Sequence, residues 1–470
     1  MIIQLLFLGI IGLLATFSIT FLVMPRIIAF MRRRGIVGVD VHKLHKPEVP
    51  EMGGVGLIIG VTGGCILLFL GSGFLGFGLP DYRILIFLSV ILLAGLVGAV
   101  DDLRPLGAKT KTLLTAATSL PILLSSWIIV GLGMSPPLET AYNPQPRFPF
   151  LGQTRFTIIY PLMIPLVVAV PANAVNMIDV FNGVMPIATI LIFIGMLIAS
   201  LLTVSVGVPG SELGILLSCV MIGGLFAYFL FNRNPAQVFG GDSGSLFIGT
   251  AIGALAIMGR IELVTMIALF PAIMNAFSSL MSIGGLLERR KIKGRPTIFQ
   301  ADGTLAASLD PHAPLTLTRL VLARGPLTEK QIALSLAVLS LAGSSLAVMT
   351  FFLIPFEEIG FLIPWPFTLL LTVIPVLLIL GVYLTLRTND QLGIRLVGII
   401  GLMVEVWVVL MAGFAALDFL IQIPIPFGNI ISPIFGAVYV LAWLALWYLT
   451  TRLVFNYEVR IGISSTVKPS

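Results

Sequence analysis

Three polar segments interrupt an otherwise apolar chain, and their residue types suit the handling of phosphate and a divalent cation. Asn173-Ala174-Val175-Asn176-Met177-Ile178-Asp179-Val180-Phe181-Asn182-Gly183 follows an apolar run and carries an amide or carboxylate at every third position. Helical spacing would put Asn173, Asn176, Asp179 and Asn182 broadly on one face. Pro171 can break the helix just upstream, and broken helices with free ends are a common basis for intramembrane binding sites. A structural hydrogen-bond network is the alternative. Asp101-Asp102 closes another apolar run. Adjacent carboxylates repel and stay ionised near a cation, which Lys109 or Lys111 can supply. Such a pair suits magnesium or general-base work, or else a solvated helix cap. Gly240-Gly241-Asp242-Ser243-Gly244-Ser245 precedes a further apolar run. Glycines allow close backbone approach to phosphate, and a helix N-terminus offers free N–H groups. Asp242 would compete with an anion there unless a metal bridges the two, and a plain helix cap is the simpler reading. No Gly-Lys-Ser/Thr follows, so this is not a Walker loop.

Two loops add charge. In the segment from Gly38 to Gly54, Asp40 and Glu51 offer acceptors for a base or sugar N–H, and Pro50 with Gly53-Gly54 shapes a tight lead into the next helix. His42 and His45 lack a third metal ligand nearby and read as solvated loop histidines. The loop 287–330 is strongly basic, from Glu288-Arg289-Arg290-Lys291-Ile292-Lys293-Gly294-Arg295 to Arg319 and Arg324. Its charge serves topology, and its length suits the grip of a diphosphate.

The elements that must position these groups are helices in a bilayer. Of 470 residues, 58% are hydrophobic and 10% charged, with mean hydropathy +1.09, which excludes a soluble fold of this size. Apolar runs long enough to span occur near 2–24, 55–77, 84–100, 112–132, 157–173, 184–206, 212–231, 245–259, 262–286, 331–354, 364–386, 393–420 and 431–452. The expected fold is an all-α polytopic membrane protein with about thirteen transmembrane helices. With the N-terminus outside and the C-terminus cytoplasmic, only Arg83, Arg147, Arg155 and Arg260 of the 27 Lys and Arg residues fall outside, as the positive-inside rule requires. All three polar segments and both loops then share the cytoplasmic face of the cell membrane. The first apolar run is too long for a signal-peptide core and lacks a small-residue cleavage site, so it is expected to be retained. Cys65 and Cys219 lie in apolar runs and point to neither a disulfide framework nor zinc. No basic stripe interleaves with aromatics, so nucleic acid is not an expected partner.

Taken in order, these motifs resemble the polyprenyl-phosphate N-acetylhexosamine-1-phosphate transferases of glycosyltransferase family 4, over roughly residues 1–355. The pattern of Gly38, Asp40, Lys43, Leu44, Pro50, Glu51 and Gly53 is most similar to the archaeal and eukaryotic UDP-GlcNAc:dolichyl-phosphate enzymes. The resemblance implies transfer of a sugar-1-phosphate from a UDP-amino sugar to a polyprenyl phosphate, with release of UMP and dependence on magnesium, or manganese in its place. By motif, Asn176 and Asp242 would hold the metal. Lys111 would bind the carrier phosphate, with Asp101-Asp102 as the catalytic acids and Asp102 orienting or deprotonating that phosphate. Asp40, Glu51 and Asn182 would contact the nucleotide sugar alongside Asn173, and Lys293 and Arg295 its diphosphate. Asp179 matches an acidic position common in bacterial relatives. The family's inner loop often carries a His-rich or Arg-His-Arg motif; here His312 stands alone in Asp310-Pro311-His312-Ala313-Pro314. Residues 356–470 read as an appended bundle of about three helices, with Glu405 inside one span and packing or homodimer formation as its candidate roles. The rival class is an ion-coupled secondary transporter, which would place ionisable groups near the midplane and show two similar halves.

Overall fold

The computed structural model describes residues 2–74, 82–131, 159–208, 211–285 and 294–354, together with residues 147–148, 152–153 and 292 and scattered positions from 396 to 459. In chain order the elements are α1 (Ile2–Arg33), β1 (Val37–Val39), β2 (Glu48–Pro50), α2 (Gly54–Phe74), α3 (Arg83–Leu103), α4 (Ala108–Ala117) and α5 (Leu120–Gly131). A short pair β3 (Arg147–Phe148) and β4 (Gly152–Gln153) precedes α6 (Ile159–Ile178), α7 (Val184–Ser205), α8 (Glu212–Asn232) and α9 (Gly241–Met258). Then come α10 (Glu262–Ala268), α11 (Phe270–Ile283), β5 (Thr297–Phe299), β6 (Leu305–Ala307), α12 (Leu317–Val321) and α13 (Glu329–Phe352). The strands form three separate antiparallel two-stranded ribbons. Among the described residues eight helices are long and apolar enough to cross a membrane, or nine if α10 and α11 form one broken span. The protein is a helical, multi-pass membrane protein.

Proline explains where the helices depart from the sequence reading. The expected span 112–132 divides into α4 and α5, because Pro121 sits in the first turn of α5, where its missing N–H costs nothing. The expected span 262–286 bends by 68° between α10 and α11, with Pro271 again in a first turn. Pro171, expected to break its helix, does not: α6 runs through both Pro165 and Pro171 to Ile178. Asn173 and Asn176 are therefore helical, whereas Asp179 and Asn182 lie in the turn beyond. The four polar residues are not one helical stripe. Span 364–386, most of 393–420 and 431–452, and Glu405 lie outside the described residues.

At the centre stands α9, in which every residue from Ser243 to Met258 is buried. It packs chiefly on α3 and α6, while α1 packs on α2 and α8, and α7 on α8 and α13. Lipid is as apolar as leucine, so these helices gain little from excluding solvent; close van der Waals contact holds them together. Small residues supply it. Thr16 and Thr20 of α1 lie against Gly64 and Gly60 of α2, and a Cβ at Gly249 or Gly253 would strike the backbone of α6.

Candidate active site

Glycines bring the first turn of α9 to the place where its chemistry can work. A Cβ on Gly54 of α2 would lie 2.2 Å from the Gly244 nitrogen, and one on Gly98 of α3 would lie 2.2 Å from the Asp242 carbonyl oxygen. Only hydrogen side chains allow that approach. Gly241 starts the helix at φ +70°, a region that favours glycine. The backbone N–H groups of Gly53 and Gly54 donate to the carbonyls of Phe239 (2.7 Å) and Gly240 (2.9 Å), so the lead into α2 also fixes the lead into α9.

The orphan donors at that helix start are capped from another helix. Asp102 accepts from the backbone N–H of Asp242 at 2.7 Å and of Ser243 at 3.0 Å. A carboxylate belongs there, facing the positive end of the helix dipole. The free N–H groups expected for a phosphate are thus already engaged, and neither Asp242 nor Ser243 caps its own helix. Asp101, one residue away, faces different partners. One oxygen accepts from the Leu106 N–H at 2.5 Å, and the other lies 2.8 Å from the Lys111 ammonium.

Lys111 joins the motifs. Its ammonium also lies 2.7 Å from Asp242 and 3.5 Å from the Asn176 side-chain oxygen. The Asn176 amide nitrogen donates to Asp242 and, at 2.7 Å, to the Ser245 hydroxyl. Residues from α3, α4, α6 and α9 therefore meet within hydrogen-bond distance at one end of the bundle. Lys109, the other candidate cation, is exposed. Asn173 stands beside this group, with its amide nitrogen turned to the Ala169 carbonyl at 2.8 Å and the Thr112 hydroxyl 3.5 Å from its oxygen.

A second polar group lies at the same end. Asn182 donates to Asp40 at 2.9 Å, and its backbone N–H donates to Glu329 at 3.1 Å. Glu329 also pairs with Lys43 and accepts from Asn234 at 2.8 Å. His42 is not merely solvated: its ring centroid lies 4.5 Å from that of Phe181. Glu51 and Asp179 lie close enough to the first group to feel its carboxylates. Burial pushes the Glu51 carboxyl up, and the charge of Asp102 adds to the rise. Burial likewise raises Asp179 to about 7, with Asp242 and Asp102 contributing.

Comparison with known proteins decides the family. The model for glycosyl transferase family 4 matches residues 84–260. A Sulfolobus acidocaldarius protein provisionally named UDP-N-acetylglucosamine–dolichyl-phosphate N-acetylglucosaminephosphotransferase is 30% identical over 249 residues, covering 52% of this chain and 69% of that one. The chain belongs to glycosyl transferase family 4. A Saccharolobus solfataricus protein of the same provisional name is 28% identical over 333 residues, 69% of this chain and 91% of that one. The Streptococcus agalactiae phospho-N-acetylmuramoyl-pentapeptide-transferase is 30% identical over 271 residues, 54% and 74% of the two chains.

The stretch matching glycosyl transferase family 4 contains the whole Lys111 group, whereas Asp40, Lys43, Glu51 and Glu329 lie outside it. Glu329 was not singled out from sequence. It reads there as an ordinary acid in a first turn, in Thr328-Glu329-Lys330-Gln331, and the only signal is its place beside an apolar run at the basic face. Arg295 is exposed and makes no hydrogen bond or ion pair with either group among the described residues; Lys293 lies outside them. Arg319 turns inward, donating to the carbonyls of Ser308, Ala313 and Asp310 at 2.7 to 2.9 Å, so it braces the loop and does not reach for a ligand.

The donors present fit magnesium of one kind. Among the described residues no three His, Cys, Asp or Glu side chains form a metal cage. Asp242 and Asn176 lie side by side, and Asp242 is more accessible than Asp101, at 27% against 7% side-chain exposure. The Asn176 amide presents its nitrogen to Asp242, and turning it over would bring its oxygen beside the carboxylate. One or two carboxylates completed by substrate phosphate and water are the usual setting for this ion.

Proposed function

We propose that the protein transfers GlcNAc-1-phosphate from UDP-GlcNAc to a dolichyl-type polyprenyl phosphate, giving polyprenyl-diphosphate-GlcNAc and UMP. The observation that carries this reading is the Lys111 ammonium held between Asp101 and Asp242 beside Asn176. The names of the archaeal relatives supply the substrates. The phospho-N-acetylmuramoyl-pentapeptide-transferase relatives favour a second reading, the same chemistry with another UDP-amino sugar and undecaprenyl phosphate.

In the reaction an oxygen of the carrier phosphate attacks the β-phosphorus of the donor, and the bond to UMP breaks. Two anions must meet while charge grows on the leaving phosphate, so fixed positive charge does most of the work. Lys111 binds the carrier phosphate, whose oxygens replace Asp242 beside its ammonium. Asp242 and Asn176 would hold magnesium, or manganese, whose charge would neutralise the donor diphosphate. Asp101 keeps Lys111 in place. Asp102 orients the site by fixing the first turn of α9, since both its oxygens already accept backbone N–H groups. Asp40, Glu51, Asn173 and Asn182 contact the nucleotide sugar, Asp179 supports the acidic wall, and Lys293 and Arg295 reach the diphosphate.

This end of the bundle is cytoplasmic in our reading, in the cell membrane, with thirteen spans and the N-terminus outside. Supporting it, Arg83 and Arg260 lie at the far ends of α3 and α9, away from Asp101 and Asp242, whereas Arg32, Arg33, Arg104 and Arg233 lie at the near ends. Residues 1–355 form the transferase core, and 356–470 an added bundle that can mediate a homodimer. The test is UMP release by purified protein in detergent with polyprenyl phosphate, magnesium and a panel of UDP-sugars. Release with UDP-GlcNAc that stops on chelation supports the reading; silence across the panel from folded protein overturns it.

A further inference from the structure

Glu329 is a buried carboxylate without a role in the chemistry above, and burial of a charge is costly unless it is paired and hydrogen-bonded. It is 6% exposed and sits at the start of α13. It does not serve that helix, whose N-terminus is closed by a capping box between Thr328 and Gln331. Its oxygens point elsewhere. One accepts the Asn182 backbone N–H, and the other meets Lys43 and the Asn234 side chain.

Those three partners come from three separate connections. Lys43 lies between β1 and β2, Asn182 between α6 and α7, and Asn234 between α8 and α9. The first two are joined again, because Asn182 donates its amide to Asp40, three residues before Lys43. Asp40 also accepts the His42 N–H at 3.2 Å, and the His42 ring lies over Phe181. The result is a closed ring through Glu329, Lys43, Asp40 and Asn182. The next residue is fixed too, since the Gly183 N–H donates to Asn232 at 3.0 Å. With its amide nitrogen and backbone N–H both engaged, Asn182 keeps its side-chain oxygen without a donor among the described residues.

We propose that Glu329 is a positioning residue for the nucleotide-sugar side of the site, holding the Asp40 loop and the Asn182 turn in register. The inference rests on the assignment of Asp40 and Asn182 to that substrate. It separates the two substrates, because no contact of Glu329 involves Lys111, Asp101 or Asp242.

The experiment compares Glu329→Gln, Glu329→Ala, Lys43→Ala and the Lys43→Ala/Glu329→Gln pair. It measures KM for UDP-GlcNAc and for polyprenyl phosphate, kcat, the melting temperature, and direct binding of UDP. Loss of a buried partner predicts a donor KM raised roughly tenfold in Glu329→Gln, more in Glu329→Ala, with kcat and the carrier KM within about twofold. Lys43 acts through Glu329, so the pair should be no worse than Glu329→Gln alone. An unchanged donor KM in folded Glu329→Ala overturns the proposal, as does an equal loss for both substrates. If wild-type protein releases no UMP, the proposed reaction fails, and UDP binding still decides this inference. Weaker binding by Glu329→Gln upholds it; equal or absent binding by both proteins overturns it.

Discussion

The Lys111 group and the Glu329 group lie at the same end of the bundle but are built in different ways. The first is made by helices: α3, α4, α6 and α9 each contribute side chains, and glycine contacts set the backbones before any side chain is chosen. The second is made by connections, which one carboxylate draws together. Helix packing gives little play, which suits a centre where a misplacement of about 1 Å can cost a hundredfold in rate. Connections held by replaceable contacts suit recognition, where donors can differ from one relative to the next.

Four substitutions would break or sharpen that contrast. Asp242→Ala should lower UMP release by roughly a thousandfold or more while expression and melting stay near wild type, since it removes charge without disturbing the glycine contacts. Activity retained in that variant would sink the metal assignment. Asp102→Asn keeps one acceptor oxygen but faces the second N–H with an amide, so turnover should fall roughly thirtyfold along with the melting temperature. The pH–rate profile should keep its shape; loss of an acidic limb would instead mark Asp102 as a general base. Gly98→Ala forces a methyl group into the Asp242 carbonyl and should destabilise by about 1–3 kcal/mol in a reversible unfolding assay. A neutral result would mean that the first turn of α9 tolerates displacement.

The smallest effect concerns Asp179. Its carboxyl titrates at about 7 in the folded protein, against an ordinary value of 3.8, so folding takes up a proton in the range between. Without metal, stability should decline as pH climbs from about 4 towards 7 and level off above. Asp179→Asn removes that contribution, and the melting temperature should fall less between pH 5 and pH 8 than in wild type. Parallel slopes would show that Asp179 ionises as an ordinary surface acid.

Much of the first group could be read from sequence, because its residues sit in dense polar motifs within apolar surroundings. Asp101, Lys111, Asn176 and Asp242 stand out for that reason, and the structure brings them together. What they touch was less legible. The cap on α9 comes from Asp102, 140 residues earlier, and no local spacing reports it. Pro171 has the look of a helix break, yet tight packing of α9 on α6 leaves the helix continuous. Pro121 and Pro271 do mark new helices, since each falls in a first turn. Glu329 was invisible because one acid at a helix start is ordinary. Its meaning arises only when three distant connections converge on it.

The burial of α9 has a consequence for how the protein is made. With a mean hydropathy of 1.3, it is the least apolar of the eight candidate spans, against 2.6 for α3 and α7. Left alone in a bilayer, its Gly, Ser and Thr residues and Asp242 would meet lipid, and its partitioning from the translocon would be weakly favoured. Its seat must therefore already be in the membrane when it emerges. Chain order provides this, because α3, whose Gly98 makes room for its first turn, and α6, whose backbone lies against its Gly249 and Gly253, are both synthesised first. The glycines that place Asp242 thus also govern the membrane integration of the helix that carries it.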